Sequence, residues 1–399
     1  MHRLARDPGV PRVCILVCDS WGVGDAPDAA AYGDEWSNTI GNTSRAVGGL
    51  HLPNLEAMGL GLLTTIEGVA PRAEPGTAHG RATEVSAGKD TTTGHWEMMG
   101  IRVNHPFPLY PRGFPAEIVE PFVEAIGSPI LGNIPASGTE ILAELGPEHL
   151  RSGAPIVYTS GDSVFQIAAH VDVVPLETLY AWCEVARALL RGEHAVGRVI
   201  ARPFEGEPGA FLRRPERRDF SLPPPGPTIL DALHEAGVQV MGVGKIGDIF
   251  GGQGLSTSEY SESNDHGVDL TIERLGVPGP SLVFTNLVDF DSKYGHRNDP
   301  NGYAAAMEAS DRRVPEILAA LQGGIVLLTG DHGCDPTTPL TDHSRERTPL
   351  LVGGLTGGPY DLGTRATFAD LGRTAAALLG VPTEGFMGTS FASDMGIGA

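Results

Sequence analysis

The chain is short of positive charge. It has 28 Lys and Arg against 49 Asp and Glu, a formal net charge of −21. No basic stripe stands out, which excludes nucleic acid and anionic membrane surfaces as expected partners, since both are bound through clustered Lys and Arg. A phosphorylated small molecule stays possible, because bound divalent cations reverse a local field. Lysine is rare, with only Lys89, Lys245 and Lys293. Lys89 and Lys245 stand in glycine-rich stretches and are pointers to function. Cysteine is also rare: Cys14, Cys18, Cys183 and Cys334. Cys14 and Cys18 are four apart in an expected strand, about 13 Å at strand rise, too far for a disulfide. No zinc-type pairing appears, and reduced buried thiols fit a cytosolic protein. Long apolar runs are absent. The arginine-bearing Met1–Arg12 precedes only Val13–Cys18, too short for a signal segment or a membrane span. A cytoplasmic location is the expectation.

What remains is the composition of a globular protein, and 399 residues suffice for two domains. The unbroken apolar run VCILVC before Asp19 reads as a strand buried on both faces. Further strands are expected at Leu60–Thr65, Val238–Val243, Ser281–Val288, Gly324–Thr329 and Thr348–Val352. Helices are expected at Asn38–Ala46, Thr228–Ala236, Ala304–Gln322 and Phe368–Leu379. The alternation predicts an α/β fold with a doubly wound, mostly parallel sheet. From about Asn104 prolines crowd in, and Leu222–Pro227 is a stiff, proline-rich stretch. These borders predict a core built from 1–103 and 223–399, with an inserted α+β cap at 104–222.

One stretch organises the chain: Gly88-Lys89-Asp90-Thr91-Thr92-Thr93-Gly94-His95-Trp96-Glu97. Threonine there can cap a helix or, if its pKa is lowered, attack an electrophile. No histidine is spaced to guarantee a dyad with Thr91, so a metal ion would do the activation. Elsewhere three expected strands lead to acids: Asp19, Asp291 and Asp331. Ligands of open α/β sheets collect at the carboxyl ends of strands. Three carboxylates there repel one another unless cations bind them. His296, His332 and His343 follow those acids, and mixed Asp/His ligation suits Mn²⁺ or Zn²⁺ better than Ca²⁺. Taken singly, Asp19 could be a helix cap, His332 a core histidine and His343 a loop residue. Together they predict two adjacent metal sites and phosphoryl or sulfuryl transfer.

The order Asp19-Ser20, Gly88-Lys89-Asp90-Thr91 through Gly94-His95-Trp96-Glu97, Asp289-Phe290-Asp291 through Gly295-His296-Arg297, Asp331-His332-Gly333-Cys334-Asp335-Pro336 and Thr341-Asp342-His343-Ser344-Arg345-Glu346 resembles the alkaline phosphatase superfamily. Within it the pattern is similar to the prokaryotic, metal-dependent phosphopentomutase family, over nearly the whole chain. The resemblance implies that Asp19, Asp331, His332 and Thr91 bind one Mn²⁺ and that Asp291, His296 and His343 bind another, with Asp289 as runner-up to Asp291. It implies that Thr91 carries phosphate and that a sugar bisphosphate, such as glucose 1,6-bisphosphate, primes the enzyme. The expected partners are small pentose phosphates, and no oligomeric state is implied. Ser160 and Asp162 match the family's substrate-binding turn. Arg198, Arg202, Arg213 and Lys245 are candidates for the phosphate that is not transferred. The chain departs from the family in carrying Gly161 where alanine is usual and at the positions between Arg213, Arg217 and Asp219, three residues that match the family's pattern. The expected reaction interconverts ribose 1-phosphate and ribose 5-phosphate, and the 2-deoxy pair. The alternatives are a phosphohydrolase or a phosphoglycerate-mutase-like enzyme on the same core, or a metal-bound protein without turnover.

Overall fold

A computed structural model describes residues 11–160 and 163–398. The reading of Met1–Val10 and the candidates Gly161 and Asp162 lie outside the described residues. The chain divides into two compact units, one of Pro106–Pro223 and one of the flanking segments.

In the flanking unit eight strands lie in the order Thr257–Glu259, Gln239–Val243, Ser281–Leu287, Arg12–Cys18, Ile325–Thr329, Thr348–Gly353, Thr77–Ala82 and Tyr360–Arg365. Thr348–Gly353 is antiparallel to both of its neighbours. The remaining pairs are parallel. The central strands Arg12–Cys18 and Ser281–Leu287 are buried at every residue. That is the reason they read as unbroken apolar runs. One face packs against the helices Thr39–Val47 and Pro300–Ala320 through Ile40, Tyr303, Met307, Val314 and Ile317.

Asp299 caps the Pro300–Ala320 helix by accepting from Gly302 N–H, with Pro300 at its first position. The helix therefore starts one turn before the expected Ala304, where proline is pre-shaped for a helix start. Thr228 caps Ile229–Glu235 in a reciprocal pair with Asp231. Leu60–Thr65, expected as a strand, holds instead a single helical turn at Leu60–Leu62. Leu60 and Leu63 are buried while Leu62 is 43% exposed, the spacing of a turn and not of a strand. Three strands of this sheet were not anticipated, Thr77–Ala82, Thr257–Glu259 and Tyr360–Arg365.

The Pro106–Pro223 unit has its own six-stranded sheet. Its long strand, Arg198–Glu205, pairs with Val164–His170 in parallel and with Leu212–Arg213 and Arg218–Ser221 in antiparallel fashion. The helices Ala116–Ile126 and Leu176–Leu189 cover it through Phe122, Leu179 and Cys183.

Candidate active site

The carboxyl ends of adjacent strands supply the first acids. Asp19 follows Arg12–Cys18 directly and is fully buried. Asn286 Nδ2 donates to Asp19 Oδ2 at 3.1 Å. Ser20 takes a left-handed backbone, φ 70°, a costly state for a residue with a Cβ. In that shape its N–H donates to Asp331 Oδ1 at 3.0 Å. The Tyr303 hydroxyl donates to Ser20 O at 3.0 Å and holds the turn. Each carboxylate thus has one oxygen fixed by the protein. Its other oxygen, Asp19 Oδ1 or Asp331 Oδ2, is buried without a hydrogen-bond partner. Buried polar atoms are almost always paired, so two such orphans on neighbouring acids suit a cation as their partner.

His332 faces them. Its Nδ1 donates to Gly333 O at 3.0 Å, which leaves the Nε2 lone pair outward. Nε2 lies 3.4 Å from Asp19 Oδ1, 3.5 Å from Asp331 Oδ2 and 3.1 Å from Thr91 Oγ1. A backbone carbonyl on the far nitrogen is the usual support of a metal-binding imidazole.

Thr91 opens the helix Thr91–Met98, with Asp90 as its cap. Asp90 Oδ1 accepts from Thr93 N–H at 3.1 Å, and Oδ2 accepts from the Thr93 hydroxyl at 2.7 Å. Capping therefore occupies Asp90 and Thr93, while the Thr91 hydroxyl faces His332. A glycine at 94 lets the helix meet the strand end, because a Cβ there would lie 2.3 Å from Asp331 O. His95 Nδ1 donates to Thr91 O at 2.8 Å and lies 3.3 Å from Asp331 Oδ2. Glu97 anchors the helix's far end, accepting from Val85 N–H, Ser86 N–H, the Thr367 hydroxyl and Phe368 N–H.

Asp291 stands on a short helical turn, Phe290–Tyr294, past the end of Ser281–Leu287. His296 Nε2 lies 3.3 Å from Asp291 Oδ2, and His343 Nε2 lies 3.4 Å from Asp291 Oδ1. The two Nε2 atoms are 3.1 Å apart. Two lone pairs that close need a proton or a cation between them. His296 Nδ1 donates to Thr341 O at 2.7 Å, which again turns Nε2 toward the acid. Asp289 is committed elsewhere, to Asn264 N–H and Lys293 Nζ, each at 3.0 Å.

Two ligand trios emerge, each with its atoms within 4.8 Å: Asp291, His296 and His343, and Asp19, Asp291 and His332. Asp291 belongs to both, so the trios adjoin. Asp331 joins through its free oxygen beside His332. The donor set, buried carboxylates and imidazole Nε2 atoms around a hydroxyl, fits divalent cations that accept mixed oxygen and nitrogen ligands.

Protons balance the same charges. Burial first, then Asp331 and Asp291, pushes Asp19 above the ordinary carboxylate range. At Asp331 burial also pushes up, but His332 and His95 outweigh it and hold the carboxyl down at about 2. Burial pulls His296 down, yet its hydrogen bond to Asp291 prevails, with help from Cys334, and it ends raised to about 12. A dication entering here displaces protons from imidazole, so metal affinity rises with pH.

The other candidates stand on other elements. Lys245 follows the strand Gln239–Val243 and is close enough to draw Asp19 downward. In the Pro106–Pro223 unit, Ser160 follows the strand Ile156–Thr159. Arg198 pairs with Asp219 at 3.4 Å, and Arg202 Nε donates to Gln166 Oε1 at 3.0 Å. Burial raises the Tyr158 hydroxyl above its ordinary pKa, and Arg202, Arg213 and Arg217 each work against that rise. Arg217 was not singled out as a site residue from the sequence, and neither were Ser20, Asn286 or His95. The signal for the first was its match, with Arg213 and Asp219, to the family's pattern.

A sequence model of the Metalloenzyme superfamily matches residues 11–383, which sets the class: a metal-dependent enzyme with a core of the alkaline phosphatase type. Three curated relatives narrow it. The phosphopentomutase of Anaeromyxobacter dehalogenans strain 2CP-C is 58% identical over 386 residues, covering 96% of this chain and 98% of the relative. That of Caldanaerobacter subterraneus subsp. tengcongensis is 54% identical over 388 residues, with coverage of 96% and 98%. That of Acetivibrio thermocellus is 54% identical over 384 residues, with coverage of 95% and 99%. The chain belongs to the phosphopentomutase family of that superfamily and is an isomerase. No helix among the described residues is long and apolar enough to cross a membrane.

Proposed function

We propose that the enzyme interconverts ribose 1-phosphate and ribose 5-phosphate, and the 2-deoxy pair, through a phosphothreonine at Thr91. The observation that carries this reading is the Thr91 hydroxyl 3.1 Å from His332 Nε2, beside two buried acids with orphaned oxygens, in a chain of this family. Asp19, Asp331, His332 and Thr91 would hold one Mn²⁺, and Asp291, His296 and His343 a second. Such ions, when bound, supply positive charge to the oxygens of the transferred group and lower the pKa of the threonine hydroxyl.

The residues divide the work as follows. Phosphorylated Thr91 gives its phosphoryl group to the free hydroxyl of a bound pentose monophosphate, breaking its P–Oγ bond as the new P–O bond forms. The resulting pentose 1,5-bisphosphate turns round and returns its other phosphate to Thr91. The Asp90 cap and the His95 bond to Thr91 O keep the hydroxyl aimed through both halves. The Pro106–Pro223 unit recognises the sugar phosphate as a cap domain. Ser160 and Asp162 bind sugar hydroxyls, and Arg198, Arg202 and Arg213, with Lys245 from the core, bind the phosphate that stays. Arginine's planar fork suits that task. A sugar bisphosphate such as glucose 1,6-bisphosphate primes Thr91. Four buried, free cysteines support a reducing, cytoplasmic setting.

The test is incubation with Mn²⁺, ribose 5-phosphate and glucose 1,6-bisphosphate, following ribose 1-phosphate and free phosphate. Ribose 1-phosphate should appear with little free phosphate, and Thr91→Ala should abolish both turnover and the acid-stable phosphoprotein. Stoichiometric release of free phosphate would make the enzyme a hydrolase instead. Label persisting in Thr91→Ala would move the nucleophile to another residue.

A further inference from the structure

Arg345 stands two residues after His343, and the chemistry above gives it nothing to do. Its side chain is 2% exposed, rare for arginine unless every donor is engaged. Nη1 donates to Glu84 Oε2 at 2.6 Å and to Gly88 O at 2.7 Å. Nη2 donates to Glu84 O at 2.9 Å and to Asp28 Oδ2 at 3.0 Å. Nε donates to Asp28 Oδ1 at 3.2 Å. The guanidinium also lies over the Tyr32 ring, 4.9 Å from its centre, and the Tyr32 hydroxyl donates to Ala87 O at 3.0 Å. The Arg345 backbone N–H donates to Asp34 Oδ2 at 2.9 Å, and the same carboxylate oxygen accepts from Lys89 Nζ at 3.0 Å.

Three consecutive residues are thereby gripped: Ala87 at its carbonyl, Gly88 at its carbonyl and Lys89 at its side chain. They form the approach to Thr91. Charge balance alone would need Glu84 and Asp28 and nothing more. The two bonds to backbone carbonyls are surplus to an ion pair, and they use the fork geometry that lysine lacks. The loop is also tight from within, since a Cβ on Gly88 would lie 2.3 Å from Thr93 Oγ1.

We infer that Arg345 is a positioning residue for the phosphoryl-carrying threonine. It fixes residues 87–89, and through them the start of the Thr91–Met98 helix, against the segment that carries His343. The inference deepens the reading of Thr91 given above and rests on it.

Arg345→Lys, Tyr32→Phe, their double variant and a control, Arg365→Lys, test it with the Mn²⁺-loaded full chain. Arg365 serves as the control because its guanidinium pairs with Asp370 at 2.7 Å and with Asp394 at 3.1 Å, neither of them in the 87–89 stretch. Arg345→Lys should lower kcat about 100-fold, with KM within about threefold and bound metal unchanged. Tyr32→Phe should lower kcat about threefold to tenfold, with the same pattern. The double variant should lose less than the product of the two, because both residues act on one loop. Arg365→Lys should lower the melting temperature and leave kcat alone. A kcat for Arg345→Lys within threefold of wild type overturns the inference. So does activity lost in step with metal, or a change confined to KM. If Arg345→Lys does not fold, Tyr32→Phe decides, and an unimpaired kcat there overturns the proposal. Mass spectrometry of the Thr91 peptide after glucose 1,6-bisphosphate treatment separates the two layers. Wild type without phosphate on Thr91 sinks the reading of Thr91 itself, whereas phosphorylated wild type with unimpaired variants sinks only the role of Arg345.

Discussion

Gly94→Ala probes the coupling of fold to chemistry at its tightest contact. The new methyl would sit 2.3 Å from Asp331 O and 3.1 Å from Asp331 Cβ, where ordinary contact begins near 3.4 Å. The obstacle is backbone at the end of a buried strand, so the helix must retreat by about 1 Å. Stability should change little, because two effects oppose each other. Alanine favours a helix over glycine by about 1 kcal/mol, and overpacking costs about 1–3 kcal/mol. The net loss is about 0–2 kcal/mol, a few degrees of melting temperature for a chain this long. Catalysis should change far more. The Thr91 hydroxyl, now 3.1 Å from His332 Nε2, moves with its helix, and a shift of about 1 Å in a reacting group costs roughly 100-fold in rate. The pentose phosphate isomerisation assay gives kcat, thermal unfolding gives stability, and elemental analysis gives metal content. A variant that melts normally, binds metal normally and turns over at the wild-type rate would refute the claim that this contact sets the position of Thr91.

Three further outcomes are expected. Glu346 is buried, and despite accepting from Thr39 and Ser344 its carboxyl is pushed by burial from 4.5 up to about 7. The native chain therefore holds a proton between those values that the unfolded chain has released. The contribution is full below about pH 4.5 and is lost as pH rises through 7, by about 1.4 kcal/mol per pH unit. Urea unfolding from pH 5 to 8 should show wild type losing about 2–3 kcal/mol relative to Glu346→Gln, and parallel curves would sink the assignment. His343→Ala should lower bound metal from about two ions per chain to about one, and unchanged metal content removes His343 from the ligand set. Trp36 is 86% exposed with a left-handed backbone, φ 71°, so Trp36→Gly should raise stability by about 1 kcal/mol. An unaltered melting temperature would show that the turn is not strained.

The strands at the centre of the sheet were legible because burial on both faces leaves unbroken apolar runs, as in Arg12–Cys18 and Ser281–Leu287. Thr77–Ala82 was not, because TAHGRA lacks such a run and pairs only through neighbours distant in sequence. Leu60–Thr65 misled because its three leucines, Leu60, Leu62 and Leu63, do not distinguish a turn from a strand. At the site, acids and imidazoles announced themselves by type and spacing. The groups that aim them did not. Asn286 looks like any strand residue until its amide is seen on Asp19, and Ser20 matters for a backbone angle that no letter encodes. Arg345 lay within a recognisable motif, yet its partners Asp28, Glu84 and Gly88 are more than 250 residues away.

Strand order explains why residues so far apart in sequence meet at all. Ser281–Leu287, Arg12–Cys18 and Ile325–Thr329 are adjacent and parallel, so the segments that follow them leave the sheet at one edge. Those segments carry Asp291, Asp19 and Asp331. The one reversed strand does the rest. Thr348–Gly353 pairs antiparallel with Ile325–Thr329, with Thr329 opposite Leu350. Residues 330–347 therefore leave and re-enter the sheet at the same edge. A parallel successor would have drawn this segment across the sheet to its opposite edge. Instead the whole excursion stays beside Thr91, and it carries Asp331, His332, His343 and Arg345. Reversing a single strand thus lets one loop contribute side chains to both Asp/His trios and also grip the approach to Thr91.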